Sequence, residues 1–233
     1  MATAPKLPAL ARQALEEPDV LQRLLGSLGP ENTNLTARER AFKALLPLAQ
    51  AEPNALLPHW SALSALLISD KAFSKYPAVH LIAALVPADR QRRFDRSFNT
   101  YFGLLDDEAI SVAAHVARLA GAIAQARPDL EPRITRRLLA LDQSHFSADR
   151  RDLVKSYALE AFSATFTRSR QQAAMISFAQ SMLKSKSPRA VNAAKAFLKT
   201  HSKEWRRLTE RGRRQRTSVR RQTHRSTPPR RNL

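Results

Sequence analysis

The chain has 233 residues, with 39 Lys+Arg against 20 Asp+Glu for a formal net charge of +19, no cysteine and 5 glycines. Without Cys there is no disulfide framework, thiolate zinc site, iron–sulfur cluster or cysteine nucleophile. None of the few glycines is spaced as GxGxxG or as a P-loop, which argues against a backbone cradle for nucleotide phosphates.

The charge is unevenly placed. Residues 1–87 carry a net +1, residues 88–202 carry +8 and residues 203–233 carry +10. The excess is therefore a C-terminal property, and a basic terminus of this kind points to polyanions.

Along the chain, residues 1–18 read as an N-terminal extension. They contain no continuous apolar stretch before Glu16, Glu17 and Asp19, which argues against a signal or transit peptide. The uncharged run from Asn54 to Ser69 carries Pro58 and His59. It falls short of the roughly 18 residues a membrane span needs. A soluble chain is expected, cytoplasmic, or nuclear in a eukaryote.

From residue 19 to 202 apolar residues recur at three- and four-residue spacings, and no period-2 run appears, so helix follows helix. Helical hairpins are predicted over 19–50, 53–87, 88–126, 128–166 and 168–202. Two of them align. Glu52-Pro53-Asn54-Ala55-Leu56-Leu57-Pro58 leads to Leu66-Leu67-Ile68-Ser69-Asp70, and Arg127-Pro128-Asp129-Leu130-Glu131-Pro132 leads to Leu138-Leu139-Ala140-Leu141-Asp142. Proline suits a first helical turn, where its missing N–H costs nothing, and Asp suits the turn after the helix. The second helices are predicted from Tyr76 to Val86 and from Ala148 to Phe166. Each hairpin of roughly 35 to 40 residues exposes apolar surface on both sides and must stack on its neighbours.

The Pro-x-Leu-x-Pro pattern with Leu-Leu and Asp, followed by Val154-Lys155-Ser156-Tyr157-Ala158-Leu159-Glu160-Ala161-Phe162, resembles a HEAT repeat. Looser matches begin at Val79, Val112 and Val191. The resemblance covers about residues 19 to 202 and implies an all-α fold. That fold is a right-handed α-α superhelix, a HEAT-like solenoid of about five hairpins, with residues 203–233 as a mostly disordered Arg-rich tail. It also implies that the second helices line the concave surface, and it implies no catalytic residues.

On that basis basic residues of the second helices become candidate ligand contacts. Arg151 with Lys155, and Lys195 with Lys199, are each four apart and predict exposed ridges on successive second helices. A longer row is expected if His115 and Lys195, each 40 residues from Lys155, share its register. The valine alignment would instead put Ala113 and Asn192 in that row. Arg90, Arg92, Arg93 and Arg96, and Arg133, Arg136 and Arg137, fall on first helices and are expected on the convex side, the Arg90 cluster partly neutralised by nearby acids. In the tail, Arg206, Arg207, Arg211, Arg213, Arg214, Arg216, Arg220 and Arg221 have the composition of a segment that grips phosphate backbones.

No catalytic motif is visible. The six His, at 59, 80, 115, 145, 201 and 224, form neither HxxxH nor HExxH. Asp106, Asp107 and Glu108 are placed to cap a helix. A HEAT-like alkylpurine DNA glycosylase would need a carboxylate beside tryptophans, whereas Trp60 reads as a core anchor and Trp205 as a cap on the last hairpin. The expected function is a non-catalytic binding module or scaffold. It would need no cofactor or metal and would engage nucleic acid or another polyanion. The alternative is a protein–protein scaffold holding a peptide or helix in the concave groove.

Overall fold

Proline marks where several helices begin. Pro18, Pro53, Pro132 and Pro188 occupy the first or second position of their helices, where φ near −65° is already helical and no N–H is needed. Side chains cap others: Asn34 Oδ1 accepts from the Ala37 N–H at 3.0 Å, and Asp89 Oδ2 accepts from the Phe94 N–H at 2.8 Å.

The computed structural model describes residues 8–207, and every regular element in them is helical. In chain order these are α1 (Ala9–Glu16), α2 (Pro18–Gly26), α3 (Leu35–Ala51) and α4 (Pro53–Leu56), which runs through one tight turn into α5 (Trp60–Leu66). Then come α6 (Ala72–Leu85), α7 (Arg93–Gly103), α8 (Ile110–Ala126), α9 (Glu131–Leu139), α10 (Ala148–Thr165), α11 (Gln172–Met182) and α12 (Pro188–Thr200). Residues 202–207 continue helically.

The second helices α3, α6, α8, α10 and α12 pack on one another in sequence order. Polar bonds between successive pairs recur at intervals close to one hairpin length. Trp60 Nε1 donates to Ser97 Oγ across 37 residues, Arg137 to Asn99 Oδ1 across 38, and Lys75 to Asp107 across 32. The all-α solenoid read from the sequence is the observed architecture.

Side-chain size differs between the layers. α7 buries Phe94, Phe98, Tyr101 and Phe102, whereas α8 buries five alanines and Gly121. Small side chains on α8 let it approach its neighbours closely. An ideal Cβ on Gly121 would lie 2.9 Å from Ala161 Cα, so α8 and α10 meet nearly backbone to backbone.

Two elements depart from expectation. Residues 9–16, read as an extension, form α1, whose Ala11 and Ala14 are buried as it packs on α2 and α3. Its eight residues are too few for periodicity to reveal. α6 begins at Ala72 rather than Tyr76 and runs through Pro77. Pro77 removes only its own N–H bond. The turn ahead of it is held by Ser74, which accepts from Arg38 at 3.2 Å, and by the Lys75–Asp107 pair.

Candidate functional site

The expected ridge on α10 does not form. Lys155 is only 5% exposed; its Nζ donates to Asp142 Oδ1 at 2.7 Å and lies 4.7 Å from the Phe178 ring centre. Arg151 is half-buried and donates to the Phe146 carbonyl at 2.8 Å. Both reach into the segment joining α9 to α10, which folds back over the start of α10. Helical spacing alone does not reveal that cover. Lys155→Met is therefore expected to change stability by less than about 1 kcal/mol, because an apolar side chain of similar volume fills the buried site while the partner left behind, Asp142, is 57% exposed and stays hydrated. The urea midpoint checks this, and ligand binding is expected to be unchanged.

Lys195 and Lys199 are exposed on one face of α12. Arg206 and Arg207 are exposed in the helical stretch that follows. Arg211, Arg213, Arg214, Arg216, Arg220 and Arg221 lie outside the described residues. Among the arginines expected on the convex side, Arg92 adopts φ 54° and pairs with Asp95 and Asp129, each at 2.8 Å. Arg133 covers the Phe98 ring at 4.0 Å. These groups hold neighbouring repeats together. Asp107 Oδ1 accepts from the Ala109 N–H at 2.9 Å at the start of α8, the capping contact expected of this acidic cluster. Trp60 is buried, as a core anchor should be.

The row through His115 takes a different register. His115 Nδ1 lies 2.9 Å from Nε2 of His80, 35 residues earlier on α6, and not beside Lys155. Tyr76 joins the pair, with ring centres 4.8 Å from both histidines, and Phe42 of α3 lies 5.6 Å from Tyr76. The second helices thus carry a half-buried ring cluster across α3, α6 and α8. Beside it an apolar cavity of about 410 Å³ is lined by Leu35, Phe42, Phe73, Tyr76 and Ser111 among others. Leu35 is 73% exposed and Phe73 40% exposed. On its floor the Arg38 guanidinium sits 3.6 Å from the Phe73 ring centre and donates to the Asn32 carbonyl at 2.7 Å. The sequence held one clue to the cluster, since Phe42 and Tyr76, and His80 and His115, recur at nearly one repeat length.

Burial, the neighbouring His115 and Arg118 lower the His80 pKa from 6.5 to about 4, and burial with Arg118 lowers that of His115. Between those values unfolded His80 binds a proton that the folded residue excludes. Stability contributed by this group is therefore full above pH 6.5 and falls as pH drops toward 4. His80→Gln is expected to reduce the pH dependence of the urea midpoint over that window, equivalent to about one fewer proton taken up on unfolding.

Among the described residues no group of three His, Cys, Asp or Glu is placed to hold a metal ion. No helix among them is long and apolar enough to cross a membrane.

No protein-family model and no curated protein matches this sequence. Among solved structures, a designed armadillo repeat protein in complex with the peptide (KR)4 is similar, with a TM-score of 0.57 at 17% identity over 83% of this chain and 89% of that one. The likeness is one of fold: an armadillo- and HEAT-like α-solenoid.

Proposed function

We propose that the protein is a binding scaffold, without chemistry of its own, that holds a segment of a partner protein along its second-helix face. The observation that carries this reading is the apolar cavity between α3 and α6, where Leu35 and Phe73 remain open to solvent. Exposed large apolar side chains gathered in one concavity are the usual mark of an interaction site. The similar armadillo protein was solved with a peptide, which supports the same class of ligand. The test is selection of a displayed random 12-residue peptide library on the immobilised full chain and on the same chain carrying Leu35→Ser and Phe73→Ser. Enriched peptides that bind the parent and not the variant are expected. No enrichment, or enrichment undiminished by the two substitutions, would overturn the reading.

A second reading rests on the C-terminal end. Exposed Lys195 and Lys199 lead into Arg206, Arg207 and a terminus in which residues 203–233 carry a net +10. That concentration supports contact with nucleic acid or another polyanion. Anisotropy of a labelled duplex and of a single strand in rising salt tests it, for the full chain and for a chain ending at Lys203. Each phosphate contact adds about one unit to the salt slope, so truncation is expected to flatten it. Absence of binding by the full chain at low salt would sink this reading. Binding undiminished by truncation would remove the terminus from it.

A further inference from the structure

We infer that the segment held on the second-helix face is acidic, with a bulky apolar anchor in the α3–α6 cavity and a carboxylate on Arg118 about three residues away. This inference rests on the scaffold reading above.

Ser111 lines the cavity, and Ser111, His115 and Arg118 follow at spacings of four and three on α8, so they rise along one face of that helix. Arg118 is exposed and close enough to bias both His80 and His115, which places it at the far edge of the ring cluster. No acidic side chain among the described residues forms an ion pair with it. By contrast, Arg189 on α12 already covers Tyr157 at 4.4 Å and reaches Glu160 at 4.0 Å. Arg118 is therefore an exposed cation without an ion pair among the described residues, one helical turn beyond His115.

The sign of the partner follows from charge. Glu39, the acid lining the cavity, is paired with Lys43 at 2.6 Å, so its charge is already met from within the chain. A basic segment would meet Arg118 with like charge; an acidic one is attracted and can present a carboxylate to a forked guanidinium. The designed neighbour holds a basic peptide. The exposed Arg118 here calls for the opposite sign.

The spacing follows from helix geometry. From Ser111 to Arg118 the rise is about 10 Å at 1.5 Å per residue. An extended segment covers that in about three residues. The rings of His80 and His115, with facing nitrogens 2.9 Å apart, lie between the two anchors.

The test uses the full chain, so that its basic terminus is present throughout. The same random 12-residue library is selected on the parent and on Arg118→Glu. On the parent, enriched peptides are expected to pair Phe, Trp or Leu with Asp or Glu about three residues away. On Arg118→Glu that acidic position is expected to vanish or turn to Lys or Arg. A parent-selected peptide, synthesised and labelled, is expected to bind Arg118→Glu about tenfold more weakly or worse. Enriched peptides without acids, or acids that persist on Arg118→Glu, would overturn the inference while leaving the scaffold standing. No enrichment on the parent would remove both.

Discussion

Asp107→Ala is expected to lower stability by about 3–5 kcal/mol, the cost of stranding one partner of a buried ion pair. Lys75 and Asp107 are 11% and 6% exposed, and they join α6 to the turn before α8. Removing the carboxylate leaves the Lys75 ammonium without its counter-charge in a site that water barely reaches. It also removes the acceptor for the Ala109 N–H, a capping contact of a kind whose loss typically costs about 1 kcal/mol. Against a typical total stability of about 5–15 kcal/mol this is a large fraction. Adding Lys75→Met to Asp107→Ala is expected to recover most of the loss, since no buried charge remains. Urea unfolding of the two single variants and the double gives the coupling directly. Equal stability of Asp107→Ala and the parent would show that the pair is solvated after all.

Two other contacts, Lys155 with Asp142 and His80 with His115, divide what is legible in the sequence from what is not. Hairpin length, proline at helix starts and a polar turn after each first helix are local, and all of them are readable from spacing. Which side of a second helix faces out is not local. Lys155 sits four residues from Arg151 and reads as part of an exposed ridge, yet the α9–α10 segment returns over it and supplies Asp142. A 40-residue period would put His115 in register with Lys155, whereas its partner His80 lies 35 positions earlier. A shift of five residues turns a helix face by more than a full turn, so uneven repeat length scrambles any row drawn with one fixed period. The cavity of Leu35, Phe42, Phe73 and Tyr76 escaped notice because apolar residues on an amphipathic helix read as core. Only the absence of a covering element among the described residues makes them a candidate site.

Gly121→Ala is expected to destabilise the protein, and Gly103→Ala to stabilise it, although both glycines lie in helices with ordinary backbone angles. Alanine is the better helix former by about 1 kcal/mol, which favours both changes. At Gly103 nothing lies within 4 Å of the added Cβ, so a gain of about 0.4–1 kcal/mol remains. At Gly121 the Cβ would meet Ala161 Cα at 2.9 Å, Ala164 Cβ at 3.1 Å and the Ala161 carbonyl oxygen at 3.2 Å. Two of these three atoms are backbone and cannot rotate aside, so α8 and α10 must separate. Overpacking costs of about 1–3 kcal/mol outweigh the propensity gain, and Gly121→Leu is expected to exceed them. Because each repeat is stabilised chiefly by its neighbours, a gap opened between α8 and α10 weakens the coupling of the two halves of the solenoid. Thermal unfolding of Gly121→Ala should therefore begin earlier and broaden, while that of Gly103→Ala shifts upward without a change in shape. A Gly121→Ala variant as stable as the parent would mean that the two helices have room to slide.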